Sequence, residues 1–307
     1  MILILILLLI PSITFSTYSI VAWDGEEMGV AVQSHWFSVG SVVGWAEAGV
    51  GVVATQSFVN PSYGYMGIEM MKKGFSAEET LKALLAIDEG RDVRQVAILD
   101  KYGKVSSFTG KNCIKYASHL TGEGFSVQAN IMRQEGVPEA MAEAFRKTKG
   151  TLAERMIEAL KAAEEKGGDL RGKQSASIKI VKVKAGDNPF QNVVLDLRVE
   201  DSEEPIKELE RLYKIQKAYS LMDKEDIALS KKDIKNALKF YSEALNLYRN
   251  DEIVFWVGLS FYLAGEREEG KKMLKPLVLE KKDWMELLRR LVPQGMIKEE
   301  DLNFIIK

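Results

Sequence analysis

Thr17-Tyr18-Ser19-Ile20-Val21-Ala22-Trp23-Asp24 is the stretch on which the reading of the chain turns. Tyr18, Ile20 and Ala22 alternate with Ser19, Val21 and Trp23, and β-branched and aromatic residues dominate, so the pattern predicts an extended strand. If the preceding residues are removed before Thr17, that strand opens with a free threonine. Such a residue carries a hydroxyl nucleophile and, on the same residue, an α-amine of pKa near 8 that can take the hydroxyl proton at neutral pH. The alternative is a polar residue that merely starts a strand. Ser19 is the reserve nucleophile, although its own amine would stay bonded within the chain.

Residues 1–16 read as a leader. The apolar run from Ile2 to Ile10 is about half the length that a membrane-spanning helix needs, which fits a signal-peptide hydrophobic region better. Pro11 breaks the run, and Thr14-Phe15-Ser16 presents small residues at the two positions a signal peptidase reads, placing the cut before Thr17. No basic residue precedes the run. Two locations stay open: exported or membrane-associated, or cytoplasmic if Met1 is a mis-assigned start.

The 307 residues, with 46% hydrophobic and 28% charged, are enough for a substantial core and about two domains. Lys plus Arg number 42 against 44 Asp plus Glu, a net charge of -2, so no field draws the chain toward nucleic acid. A single cysteine, Cys113, excludes an intramolecular disulfide, and with only His35 and His119 beside it a zinc site of the usual kind is not expected. No metal or other cofactor is implied.

From Thr17 to Asp201 strand and helix signals alternate in blocks. Residues 28–32 and 50–54 are short β-branched runs, and Asp24-Gly25 is a hairpin signal. Helices are expected over 66–72, after the Ser76/Glu79 capping box, over 138–147 and over 152–165; further strands are expected over 93–99, 104–108, 125–130, 175–184 and 193–199. Two groups of strands with two groups of helices between them predict an α+β fold in which sheets stack face to face under helices, four layers in all.

Two motifs fail on context. Gly49-Val50-Gly51-Val52-Val53-Ala54 matches a dinucleotide fingerprint, but its β-branched residues continue a strand instead of opening a helix. Gly167-Gly168-Asp169-Leu170-Arg171-Gly172-Lys173 nearly completes a phosphate loop, yet Gln174 replaces the magnesium-holding hydroxyl and the order is helix–loop–strand. As a loop entering a strand it can still aim Arg171, Gln174 and Ser175 at a pocket.

Beyond 206 the chain is charged and helical. Ala237, Tyr241 and Ala244, then Gly258, Phe261, Gly265, Gly270 and Leu274 form a small-and-aromatic ladder similar to tetratricopeptide repeats, with Ala237 answering to Gly270 after about one period. Trp284, Leu287, Leu288 and Leu291 fit a capping helix. The region is expected either to bind a protein partner along a groove or to act as a brace or homodimer contact. Asp201-Ser202-Glu203-Glu204-Pro205 reads as a polar linker with a helix-stopping proline, giving segments 1–16, 17–201 and 206–307.

Thr17-Tyr18-Ser19-Ile20-Val21-Ala22, Gly40-Ser41-Val42-Val43 with the run from Ala54 through Asn60-Pro61-Ser62-Tyr63-Gly64, Ser126-Val127-Gln128-Ala129-Asn130 and Gly167 to Ala176 together resemble the domain-of-unknown-function 1028 family. The resemblance implies the αββα sandwich of the N-terminal-nucleophile hydrolases, with which that family is grouped, and leaves the substrate undefined. Cytoplasmic members of that family typically begin Met-Thr-Phe-Ser-Ile-Val, whereas a leader stands here in place of the methionine. The strands over 41–54 contain no lysine, a departure from proteasome-type hydrolases. The expected activity is hydrolysis of an amide or peptide-like substrate by acyl transfer to Thr17, with Ser34, Gln56, Asn60, Asn130, Arg171, Gln174 and Ser175 around the substrate. Backbone donors or the side chains of Asn60, Asn130 or Gln174 are the oxyanion candidates. A non-catalytic ligand- or peptide-binding protein on the same fold is the alternative.

Overall fold

The computed structural model describes residues 14–307, so the apolar run 2–10 and Pro11 lie outside the described residues. The chain divides into two compact units, Met1–Glu210 and Arg211–Lys307. The first is mixed α and β with antiparallel sheets; the second is all helical.

One sheet has the strand order β11(Val193–Val199), β10(Ser175–Lys182), β3(Glu27–Ser34), β2(Thr17–Trp23), β9(Phe125–Asn130), β8(Ser118–Gly122). The hairpin joining β2 and β3 forms at Asp24-Gly25: Asp24 Oδ1 accepts from the amides of Glu26 and Glu27 at 3.0 and 2.8 Å. Gly25, at φ 104°, takes a backbone conformation that side chains resist. The other sheet runs β1(Thr14–Phe15), β5(Gly51–Phe58), β6(Arg94–Asp100), β7(Val105–Thr109), with β4(Gly44–Glu47) also paired to β5.

The strand periodicity sends alternate side chains to opposite faces. Val21, Met28, Val30 and Val32 meet Val52, Ala54, Ala97 and Leu99 in a core between the sheets. On the outer face of the second sheet, Val53, Val96 and Ile98 pack with Tyr63, Ile68, Met71, Leu81 and Leu84 from α1(Ser62–Lys72) and α2(Ala77–Ile87). The outer face of the first sheet is covered by α3(Val137–Lys147) and α4(Leu152–Glu165). There Tyr18 donates to Glu164 at 2.5 Å, and Phe125 meets Phe145 with ring centroids 4.9 Å apart. Capping boxes at Ser76 and Thr151 start α2 and α4, satisfying amides that the helices themselves cannot. Helix α1 begins at Ser62, four residues before the expected start, because Asn60 Oδ1 accepts the Ser62 amide at 3.2 Å and draws the turn into the helix.

Pro205 does not stop a helix. It is the first residue of α5(Pro205–Ser230), where a missing N–H costs nothing, and the division at Glu210 falls inside that helix. Helices α6(Ile234–Leu247), α7(Asp251–Leu263), α8(Arg267–Glu280), α9(Lys282–Arg290) and α10(Glu299–Ile306) follow. The expected small residues bring α7 and α8 together: a Cβ on Gly270 would lie 2.6 Å from the Gly258 carbonyl oxygen. Helix α10 closes the unit through Leu302 and Ile305.

Candidate active site

The sheet register assembles the site. Thr17 on β2 lies directly opposite Ser34 on β3 and Asn130 on β9, and Ser34 lies opposite Ser175 on β10. Residues so paired in an antiparallel sheet hold their Cβ atoms about 5 Å apart on one face. Asn130, Thr17, Ser34 and Ser175 therefore form a polar row across four strands, all fully buried.

Thr17 Oγ1 donates to Ser34 Oγ at 3.1 Å, and Ser34 Oγ donates in turn to the carbonyl oxygen of Ser16. The same carbonyl accepts from Arg171 Nη2 at 3.0 Å. The carbonyl of the Ser16–Thr17 peptide bond is thus polarised by a hydroxyl and a guanidinium, while the adjacent hydroxyl is bonded to one of those donors. Ser16 is itself buried, and its Oγ donates to the carbonyls of Asn130 at 3.1 Å and Ile131 at 3.0 Å.

Amides hold the nucleophile candidate from behind. Gln56 Nε2, from the facing sheet, donates to the Thr17 carbonyl at 3.1 Å, and Asn130 Nδ2 donates to it at 3.3 Å. Both also donate to Gln95 Oε1, at 2.7 and 3.0 Å, and Gln95 Nε2 donates to Thr109 Oγ1 and the Ala129 carbonyl, each at 2.9 Å. Gln128 Nε2 donates to Ser19 Oγ, which donates to Gln56 Oε1, both at 2.6 Å. A buried network of this kind fixes geometry only when its members are paired. Asn130 Oδ1 is the exception beside Thr17: it is buried with no hydrogen-bond partner among the described residues.

Arg171 comes from the loop between α4 and β10. Asp169, almost wholly buried, orders that loop: its Oδ2 accepts from the His35 amide at 2.9 Å and Arg171 Nη2 at 3.1 Å, and its Oδ1 from the Arg171 amide at 2.8 Å. Gly168, at φ 57°, makes the turn into Asp169, and a Cβ there would approach Glu164 Oε2 to 2.8 Å.

Of the residues singled out in the sequence, Thr17, Ser34, Gln56, Asn130 and Arg171 meet here. Ser175 shares the row, but its hydroxyl accepts from the Val39 amide at 3.0 Å and donates to the Trp36 carbonyl at 2.5 Å, tying down the loop after β3. Asn60 and Gln174 are engaged elsewhere: Asn60 Oδ1 accepts the Ser62 amide at the start of α1, and the half-buried Gln174 side chain donates to Asp201 at 3.1 Å. The carbonyl next to Thr17 meets Ser34 and Arg171 instead, because register sets the Asn60 and Gln174 side chains toward the ends of other elements. Ser19 sits one pair deeper, committed to Gln56 and Gln128.

Sequence reasoning missed Gln95 and Ser16. Gln95 carried a signal in being the one amide opening the otherwise apolar run Gln95-Val96-Ala97-Ile98-Leu99. The segment before Thr17 also has a structural role: β1 pairs antiparallel with the end of β5, Thr14 opposite Phe58 and Phe15 opposite Ser57. Ser57 and Ile131 both have positive φ, 70° and 57°, conformations costing roughly 1–2 kcal/mol for residues with a Cβ. Strain of this kind concentrates at functional sites, and here it lies on both sides of the segment that ends at Ser16.

A model of a family of unknown function, DUF1028, matches residues 17–209, a span containing every residue of the polar row. The crystal structure of a Silicibacter pomeroyi protein assigned to the same family is similar at 28% identity and a TM-score of 0.58, over 64% of this chain and 84% of that one. No curated protein matches the chain.

Proposed function

The chain belongs to the DUF1028 family of unknown function, and from that membership and the geometry around Thr17 we propose that it is an N-terminal-nucleophile amidohydrolase. In this reading the two facing sheets and their outer helices are the αββα sandwich of that hydrolase class. The leader 1–16 is an export signal whose removal frees the Thr17 amine. The observation that carries the reading is the Ser16 carbonyl: the acyl group already attached to Thr17 accepts from Ser34 Oγ and Arg171 Nη2, where a substrate carbonyl would need its donors.

The chemistry follows from those atoms. The free amine takes the Thr17 hydroxyl proton, and Oγ1 adds to the amide carbon of the substrate. The carbonyl oxygen becomes an oxyanion held by Ser34 and Arg171. As the C–N bond breaks, the ammonium returns its proton to the leaving amine, and the acyl group remains as an ester on Thr17. Water, deprotonated by the same amine, hydrolyses the ester, releasing a carboxylic acid and restoring the threonine. Asn130 Oδ1, buried and unpartnered beside Thr17, is an acceptor suited to the new amine. The helical unit serves in this reading as a short tetratricopeptide-like brace or partner-binding surface.

Intact mass of the mature protein is expected to place the N-terminus at Thr17. A β-lactone probe should then acylate the wild type and leave Thr17→Ala unlabelled. Retention of Met1, or equal labelling of the two proteins, would refute acyl transfer and favour a ligand-binding role for the same site.

A further inference from the structure

Resting on the reading of Thr17 as the nucleophile, we infer that the acyl part of the substrate is an extended peptide ending in serine, which occupies the path held here by Thr14–Phe15 and Ser16. The acyl group of an acyl-threonine and the acyl group of the Ser16–Thr17 peptide bond hang from the same residue, one on Oγ1 and one on N. The segment preceding Thr17 therefore marks where an acyl chain fits.

Three features define that path. First, the backbone of Thr14–Phe15 adds to the edge of β5, opposite Phe58 and Ser57, so the chain is received in extended form through main-chain pairing, as in strand addition. Second, the carbonyl that ends the segment meets Ser34 Oγ and Arg171 Nη2. Third, the last side chain is enclosed: Ser16 is fully buried, and its hydroxyl faces two backbone acceptors, the carbonyls of Asn130 and Ile131. A larger side chain has no room there, and one without a donor forfeits the hydroxyl's bonds to those carbonyls. The strained backbone at Ser57 and Ile131 belongs to this path at both ends: Ser57 faces the added strand, and Ile131 presents one of the two carbonyls.

The test uses binding, so that it does not depend on turnover. The mature chain beginning at Thr17, carrying Thr17→Ala, is titrated by calorimetry with acetyl-Thr-Phe-Ser, acetyl-Thr-Phe-Leu and acetyl-Pro-Pro-Ser, its folding checked by circular dichroism. The serine peptide should bind at one per chain and at least tenfold more tightly than the leucine peptide, which does not fit, and the proline peptide, which lacks the strand amides. The full chain with its leader should bind none of the three. Equal binding of the serine and leucine peptides, or no binding to the folded mature chain, overturns the inference. Probe labelling of wild-type Thr17 alongside such a failure would leave acyl transfer standing. Selective binding without labelling would refute acyl transfer and keep the peptide path.

Discussion

Replacing Ser34 by alanine separates a catalytic from a structural role for the polar row. In the mature chain Ser34 would keep one internal bond, accepting from Thr17 Oγ1 at 3.1 Å, and would supply one of the two donors to the substrate carbonyl. Loss of one neutral hydrogen bond costs about 1 kcal/mol, and for a unit of this size that lowers the melting midpoint by roughly 2–4 °C. Loss of one oxyanion donor costs far more in rate, roughly 100- to 1,000-fold. The Ser34→Ala protein should therefore melt within a few degrees of wild type while its second-order rate of labelling by a β-lactone falls by two orders of magnitude or more. Ser34→Thr keeps the hydroxyl and should recover most of the rate. Labelling of Ser34→Ala at the wild-type rate would show that the hydroxyl does not stabilise the transition state, and the assignment of the donor pair would fall.

Two further outcomes follow from buried groups away from the nucleophile. Glu225 in α5 is almost fully buried, its Oε1 has no hydrogen-bond partner among the described residues, and burial, then the neighbouring Asp226, pushes its carboxyl up to about 8. A folded pKa above the unfolded one means that its stabilising effect is complete below about 4.5 and is lost as pH rises toward 8, on the order of 3 kcal/mol by pH 7. The melting of the helical unit, followed by circular dichroism from pH 5 to 8, should decline with pH in the wild type and stay flat in Glu225→Gln; parallel curves would contradict this. Tyr18→Phe removes the 2.5 Å bond to Glu164, whose carboxylate, after burial itself, holds the phenol well above its ordinary pKa. It should cost about 1.5–3 kcal/mol, seen in urea unfolding, with probe labelling unchanged because Tyr18 faces α4 and Thr17 the opposite side of the strand.

The legible parts of the chain were those with strong local chemistry. The Asp24-Gly25 turn, the capping box at Ser76 and the alternation through residues 17–23 each act within a few residues, so sequence spacing alone revealed them. Strand β8 was not legible, because Ser118, His119 and Thr121 are exposed polar residues on an edge strand that offers little hydrophobic signal. Strand β4, four half-buried residues long, is too short to show a period. At the site, Thr17, Asn130 and Arg171 stood out as polar residues at strand and loop ends. Their partners depend on register: that Gln95 joins Gln56 to Asn130 follows from pairings between distant segments, which no local pattern encodes.

The two amides that grip the Thr17 carbonyl, Gln56 from across the core and Asn130 from the neighbouring strand, bear on what happens to a strand when its first residue becomes a chain end. Termini ordinarily fray, since nothing beyond them holds the last hydrogen bonds shut. Here the final rung is clamped from two directions by side chains that do not belong to the departing segment. Loss of residues 1–16 would therefore expose a new terminus without loosening it, and protection of the Tyr18 amide against exchange would persist to the second residue of the shortened chain.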